Sequence, residues 1–272
     1  ELRLTVRSLA SQDDYQQCEA LERVTWGEAV VVPASLLMVS QKVGGVTAGA
    51  FDRDGRLVGM VYGLTGPRQG RTVHWSHMLA VDEELRGLGV GRELKLFQRG
   101  LARAHGAETM LWTFDPLEAR NAHLNINRLG ARAVDYLEDL YGSEPESHLH
   151  RGLGTDRFVV EWPLVVEPSP TAVDDTLFER APVVNTVDGG EPAEEPLELP
   201  ETTRVRVEVP FDIQTAKAAA PDAGARWRSC TRAAIQGYLG RGYVVAGFRR
   251  DPATDRCFYL LSTATRPEGD PR

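Results

Sequence analysis

The residues whose types and spacing suit chemistry lie between His74 and Ala104, in HWSHMLAVDEELRGLGVGRELKLFQRGLARA. Gly87, Gly89 and Gly91 alternate with Leu88 and Val90, and Arg86 and Arg92 stand at the two ends. A backbone free of side chains, with φ values closed to other residues, can approach a ligand closely. Leu94, Phe97, Leu101 and Ala104 follow at near-helical spacing, so the loop opens a helix. The first amides of a helix have no intrahelical partner and sit at the positive end of its dipole, which makes phosphate the expected guest. The flanking arginines add forked donors for the same anion.

The residues before the loop read as a strand over 74–81. Alternation gives His77 the same facing as Leu79 and Val81, and an imidazole titrates in the range where a base is useful. The plain alternative is a partly buried histidine bonded to a neighbouring strand. His74 faces the other way and reads as structural. A dinucleotide fingerprint fails here, because Gly-x-Gly-x-x-Gly counted from Gly87 requires glycine where Arg92 stands. No Gly-Lys-Ser/Thr follows the loop, which removes a Walker motif, and a purely structural glycine turn is the remaining alternative.

The elements that must position these residues can be taken in order. Residues 2–9 alternate as a first strand, Ser11 caps a helix carrying Tyr15, Cys18, Leu21 and Val24, and a shorter helix with Leu36, Leu37 and Val39 follows Pro33. Residues 46–51 and 56–62 are strands joined at Asp52-Arg-Asp-Gly, and 63–71 reads as a loop. After the central strand and helix, residues 109–114 form a strand. Asp115-Pro116 introduces a helix to about Leu129, and strands follow at 131–140 and 157–164. This order predicts an α/β (α+β) domain over residues 1–164, a mixed sheet flanked by helices.

Residues 165–200 read as an acidic, Pro-rich linker: Ala181 to Thr203 holds six acidic residues and no basic one. Residues 201–272 then read as a smaller C-terminal α/β subdomain ordered β-α-α-β-β, as in the first sixty residues. A half-repeat of the first domain is one reading, and a block covering a sheet edge is the other.

With those elements in place, Arg86-x-x-Gly89-x-Gly91 after a strand ending at Val81 resembles the acyl-CoA pyrophosphate loop of the GNAT acetyltransferase superfamily. The stretch Asn121-Ala122-His-Leu-Asn125-Ile126-Asn-Arg-Leu129-Gly130-Ala131 resembles that family's helix ending in Leu-Gly before a strand. The C-terminal extension is similar to that of predicted bacterial members. The resemblance implies an acetyl-CoA-dependent N-acyltransferase acting by direct transfer on a small-molecule or peptide amine. It implies that Arg86, Gly87, Leu88, Gly89, Val90, Gly91 and Arg92 hold the pyrophosphate. Leu79, Ala80 and Val81 would pair with the pantetheine arm, Asn121 and Asn125 would reach the cofactor, and His77 would act as base. The sequence departs from the family pattern at the acid, where the tyrosine four residues before the helix-ending glycine is Ile126. Tyr136, Tyr141 or a water would have to serve in its place. The alternative is a module that binds acyl-CoA without turning it over.

The remaining conspicuous residues have plainer readings. Asp115 caps a helix or orients an amine, Trp75, Trp112 and Trp162 are core, and Trp227, Arg228 and Arg232 mark a subdomain interface or an acceptor pocket. The 272 residues suffice for a sizeable core, and a formal net charge of −8 argues against nucleic acid as partner. Cys18, Cys230 and Cys257 have no metal-ligand spacing, and an odd count fits a reducing compartment. No apolar run reads as a membrane span and the first residues do not read as a signal peptide, so a cytoplasmic protein is expected. The sequence leaves the oligomeric state and the acceptor open.

Overall fold

Ser11 ends the first strand and starts the first helix. The computed structural model, which describes residues 3–142, 153–167, 174–187, 190–194, 196–220, 222–251 and 254–263, places β1 at Thr5–Ser8 and α1 at Gln12–Trp26. The Ser11 hydroxyl accepts from the Asp14 amide and the Asp14 carboxylate accepts from the Ser11 amide, a reciprocal cap. Arg7 on β1 donates to the same carboxylate at 2.6 Å and holds it well below the usual carboxylate range. Helix α2, Ala34–Lys42, follows Pro33 as expected. Tyr15, Cys18 and Leu37 are buried, whereas Val24, Leu36 and Val39, expected on the same apolar faces, are exposed.

Strands β2 (Val46–Phe51), β3 (Leu57–Arg68) and β4 (Arg71–Val81) form an antiparallel meander. Asp52 closes the first turn by accepting from the amides of Asp54 and Arg56. The stretch 63–71, expected as a loop, instead extends β3 and β4 into a long hairpin. Gln69 and Gly70 turn it with φ of 51° and 78°, and two successive positive values match the twist of hairpin strands. Gly66 and Pro67 lie on the outer arm, where Pro67 is exposed.

Helix α3 spans Val90–Ala104 and β5 Thr109–Phe114. The single helix expected up to Leu129 is a short α4, Ala119–Ala122, continued by π-helical turns over His123–Arg128. Strands β6 (Arg132–Leu137) and β7 (Arg157–Pro163) complete a seven-stranded mixed sheet ordered β1-β2-β3-β4-β5-β7-β6. Strands β4 and β5 pair in parallel, whereas β1 through β4 pair antiparallel.

Further along come α5 (Asp175–Arg180), β8 (Arg204–Pro210), α6 (Ile213–Ala219), α7 (Ala223–Leu239), β9 (Tyr243–Asp251) and β10 (Arg256–Thr263). The last three strands form a second sheet ordered β8-β10-β9. Its element order follows that of the first sixty residues, but β8 pairs with β10 whereas β1 pairs with β2. The acidic stretch after residue 165 is more than a tether where it is described. Phe178 and Ala181 pack on Phe258 and Leu260, and Asn185, fully buried, exchanges two hydrogen bonds with the backbone of Glu208.

Contacts divide the chain into two compact units, and the division cuts β5 after Thr113 and β7 after Val160 instead of falling at residue 164. In the first, α1 and α2 cover one sheet face with Tyr15, Cys18 and Leu37 against Met60, Tyr62 and Ala80. Helix α3 covers the other with Val90 and Leu94 against Val46, Ala48, Val58 and Val61. In the second, Phe158 of β7 meets the rings of Phe114, Tyr136 and Tyr259, and the Tyr259 hydroxyl donates to the Pro116 carbonyl. Residues assigned by sequence to separate domains therefore share that core. Among the described residues no helix is long and apolar enough to cross a membrane.

Candidate functional site

The glycine loop has the geometry that its sequence demands. Gly87 and Gly89 take φ of 84° and 91°, in the left-handed region, and an added Cβ at either would meet nothing within 4 Å. Glycine is therefore needed there for conformation and not for space. The first helical backbone bond of α3 runs from the Glu93 amide to the Gly89 carbonyl, so the amides of Val90, Gly91 and Arg92 lie ahead of it. Arg86 is exposed; its Nε donates to the Val81 carbonyl at 3.2 Å and its Nη1 stands 3.9 Å from Glu83. Arg92 pairs with Glu93 at 3.2 Å, also at the surface. Exposed pairs of this kind contribute little and yield to a better anion.

The strand that leads to the loop leaves its neighbour part-way. Parallel pairing between β4 and β5 covers Val73↔Thr109, His74↔Met110 and Trp75↔Leu111, and ends there. Towards β3 the register shifts from Gly63↔Ser76 to Tyr62↔Met78, so His77 has no registered partner and forms a bulge. A one-residue bulge reverses the facing of everything beyond it. Leu79 and Val81 consequently pack with the α3 core, while Met78 and Ala80 pack with the α1 and α2 core. The equal facing of His77, Leu79 and Val81 expected from alternation does not hold: the His77 ring meets Tyr62, on the α1 side, edge-on at 6.0 Å. His77 is exposed, yet the atoms packed around it lower its pKa through desolvation. Among the described residues, the β5-facing edge of β4 has no ladder partner beyond Trp75, along the approach to Arg86.

Behind the bulge lies a polar cluster that periodicity did not find. Lys95 of α3, 2% exposed, donates to the Ser76 hydroxyl at 2.7 Å and stands 4.0 Å from the centroid of the Trp112 ring. Ser76 in turn donates to Gln98 Oε1 at 2.7 Å. Burial pushes the Lys95 ammonium down to about 7, and among the described residues no carboxylate pairs with it. His74, structural as expected, is fully buried with Nδ1 2.9 Å from the Thr65 hydroxyl; burial, with help from the Lys95 charge, lowers it to about 3. Gly63 makes room for this cluster, since a Cβ there would lie 2.4 Å from His74 Nε2 and 2.8 Å from Gln98 Nε2. The apolar stripe of α3 was read as Leu94, Phe97, Leu101 and Ala104. Leu94 is buried and Phe97 and Leu101 pack against the same core, whereas Ala104 is exposed and the buried face also takes in Lys95, Gln98 and Ala102.

Residues 19–125 match the model of the Acetyltransferase (GNAT) family. Over that stretch, less than half of the chain, the sequence is similar to a GNAT acetyltransferase domain. Acetyl-CoA is the acyl donor of that family, and the residues of the loop and the open edge fit it: unbonded first-turn amides and two surface arginines for the pyrophosphate, and a vacated strand edge for the arm. No curated protein matches. Among solved structures, the chain is similar to one of the NatC complex bound to Gag peptide and CoA, with 13% identity, a TM-score of 0.50, and coverage of 60% of this chain and 99% of that one. An aminoglycoside 6'-acetyltransferase type Ii matches at 19% identity and TM-score 0.47, over 60% of this chain and 99% of that one. The ribosomal-protein-S18-alanine N-acetyltransferase from Escherichia coli matches at 15% and 0.46, over 64% and 98%. At 13% identity the likeness to the first of these concerns the fold alone.

The other residues expected in a GNAT site belong to the second unit. Asn121 is exposed on α4, while Asn125 and Ile126 are buried in the π-helical turns. Tyr136 is buried with its hydroxyl donating to Asp156 at 2.5 Å, and burial followed by that carboxylate raises its pKa, so it holds its proton. Tyr141 is exposed, with Arg157 5.4 Å from its ring. Asp115 accepts from the Leu117 amide at 2.9 Å in the turn ahead of α4, whose N-cap is Glu118 and not Asp115, and also pairs with Arg228 at 2.6 Å and Arg157 at 3.5 Å. Arg232 grips Asp156, so Arg228 and Arg232 of α7 serve ion pairs within their own unit. Trp112, Trp162 and Trp227 are buried, and among the described residues no group of three metal-ligating side chains gathers.

Proposed function

We propose that the chain transfers an acyl group from acetyl-CoA directly to an amine of a small molecule or peptide, with His77 as general base. The observation that carries this reading is the opening of β4 from β5 just where the His77 bulge occurs, on the strand that runs into the glycine loop. Arg86, Arg92 and the amides from Gly87 to Gly91 would bind the pyrophosphate, and the free edge of Leu79, Ala80 and Val81 would pair with the pantetheine amides as an added strand. Acetyl-CoA, when bound, supplies the acyl group as a thioester open to attack by the amine nitrogen.

His77 takes the proton that the amine must lose, at an imidazole nitrogen kept neutral near pH 7 by its lowered pKa. A backbone amide near the bulge donates to the carbonyl oxygen as charge develops there. The departing thiolate takes a proton from water, since Ile126 has none to give and Tyr136 is committed to Asp156. A cytoplasmic location is proposed together with this reading.

Ile126 also supports a second reading, a module that binds acyl-CoA without turnover. Free thiol released from acetyl-CoA over a panel of amines separates the two. Turnover supports the enzyme, and CoA binding without turnover on any amine supports the module.

A further inference from the structure

The last β4–β5 pair is Trp75↔Leu111, and the next residue on each strand is Ser76 and Trp112. Lys95 reaches both: its ammonium donates to Ser76 Oγ at 2.7 Å and lies 4.0 Å from the Trp112 ring centroid. One side chain from α3 therefore touches both strands at the point where they part. We propose that Lys95 is a positioning residue that wedges the apex of the β4–β5 opening and, through Ser76, fixes the His77 bulge.

The chemistry of the contact supports a positioning role over simple packing. An ammonium buried without a carboxylate is a costly way to fill space, and apolar residues of similar volume commonly do so at no loss of stability. What an apolar side chain cannot do is hold Ser76 in a directed hydrogen bond while pressing a charge on the Trp112 face. Ser76 passes the constraint on, donating to Gln98 Oε1 at 2.7 Å, so two residues one α3 turn apart hold the residue next to the bulge. Without the wedge, β4 and β5 are free to pair one step further and narrow the space that a thioester would enter. The role in turnover rests on the acyltransferase reading above; the wedging of the strands does not.

The test compares the full chain with Lys95→Met and Ser76→Ala by amide hydrogen exchange, thermal midpoint and acetyl-transfer kinetics. Lys95→Met is expected to slow exchange at 76–81, to leave the midpoint equal or higher, and to lower kcat roughly tenfold or more while KM for acetyl-CoA changes less than about threefold. Ser76→Ala, a small change that keeps the core filled, should shift exchange and kcat in the same direction and stands in if Lys95→Met does not fold. Unchanged exchange at 76–81 in the folded variants would overturn the wedge whether or not the wild type turns over. An active wild type whose variants keep full kcat would overturn the positioning role. A wild type inactive on every amine, with exchange slowed in the variants, would sink the acyltransferase reading and leave the wedge standing.

Discussion

The imidazole of His77 meets the ring of Tyr62 edge-on at 6.0 Å, although strand alternation from Leu79 and Val81 would turn it to the opposite face. Tyr62 is itself fixed, its hydroxyl 2.9 Å from that of Ser40 on α2. The bulge therefore hands His77 to the α1 and α2 side, where a base can meet an acceptor held by those helices. Exposed apolar residues lie on both helices, Val24 on α1 and Leu36 and Val39 on α2.

If His77 is the base, His77→Gln should lower kcat by about 10²–10⁴-fold with CoA affinity retained. Its pKa is lowered by desolvation, so the rate should climb with pH through a value below the ordinary imidazole range and be flat by neutrality. The pH profile of kcat/KM in wild type and variant checks this; a wild-type limb above pH 7.5 that the variant shares would assign the base elsewhere.

Gly89 carries the turn into α3 at φ 91°, with open space where a Cβ would go. Gly89→Ala should therefore cost about 1–2 kcal/mol from backbone strain alone, and weaken CoA binding because the amides behind it shift. Gly89→Asn should cost less. Thermal unfolding and calorimetric titration with CoA measure both effects.

Arg86 is exposed and its ion pair with Glu83 spans 3.9 Å. Arg86→Gln should change stability by no more than about 0.5 kcal/mol while weakening CoA roughly tenfold and flattening the dependence of affinity on salt. An affinity equal to wild type at low salt would remove Arg86 from the pyrophosphate site.

Glu22 of α1 is fully buried and accepts from the Val32 amide at 2.6 Å; burial raises its carboxyl to about 7. A folded pKa above the unfolded one gives stability that is complete below about pH 4.3 and is lost as pH rises through 7. The loss is on the order of 3 kcal/mol across that window. Glu22→Gln should abolish this slope in denaturant titrations, and a slope that persists in the variant would contradict the assignment.

Much of the fold was legible because its signals are local. Ser11, Pro33, Asp52 and the glycine loop each set a boundary by their own backbone chemistry, and all four stand where the sequence put them. The hairpin through Gln69 and Gly70 was misread because Gly66-Pro67 looks like a loop unless the pairing of its two arms is known. The bulge at His77 left no mark either, since a register shift belongs to two strands and the sequence exposes one at a time. Lys95 was hidden for a related reason. A lysine beside Leu94 reads as a solvated position, and only the partners on β4 and β5 reveal that it is buried. The shared core of Phe158 and Tyr259 rests on contacts between residues a hundred positions apart, beyond any local pattern.

The central claim is catalysis of acyl transfer at the opening beside His77. The most direct measurement is thiol release from acetyl-CoA, with a broad panel of small amines and peptides, by wild type and His77→Gln at matched CoA occupancy. Amine-dependent release by the wild type that drops at least a hundredfold in the variant is the expected result. Equal rates in the two proteins, or no amine-dependent release by a wild type that binds CoA, would contradict it.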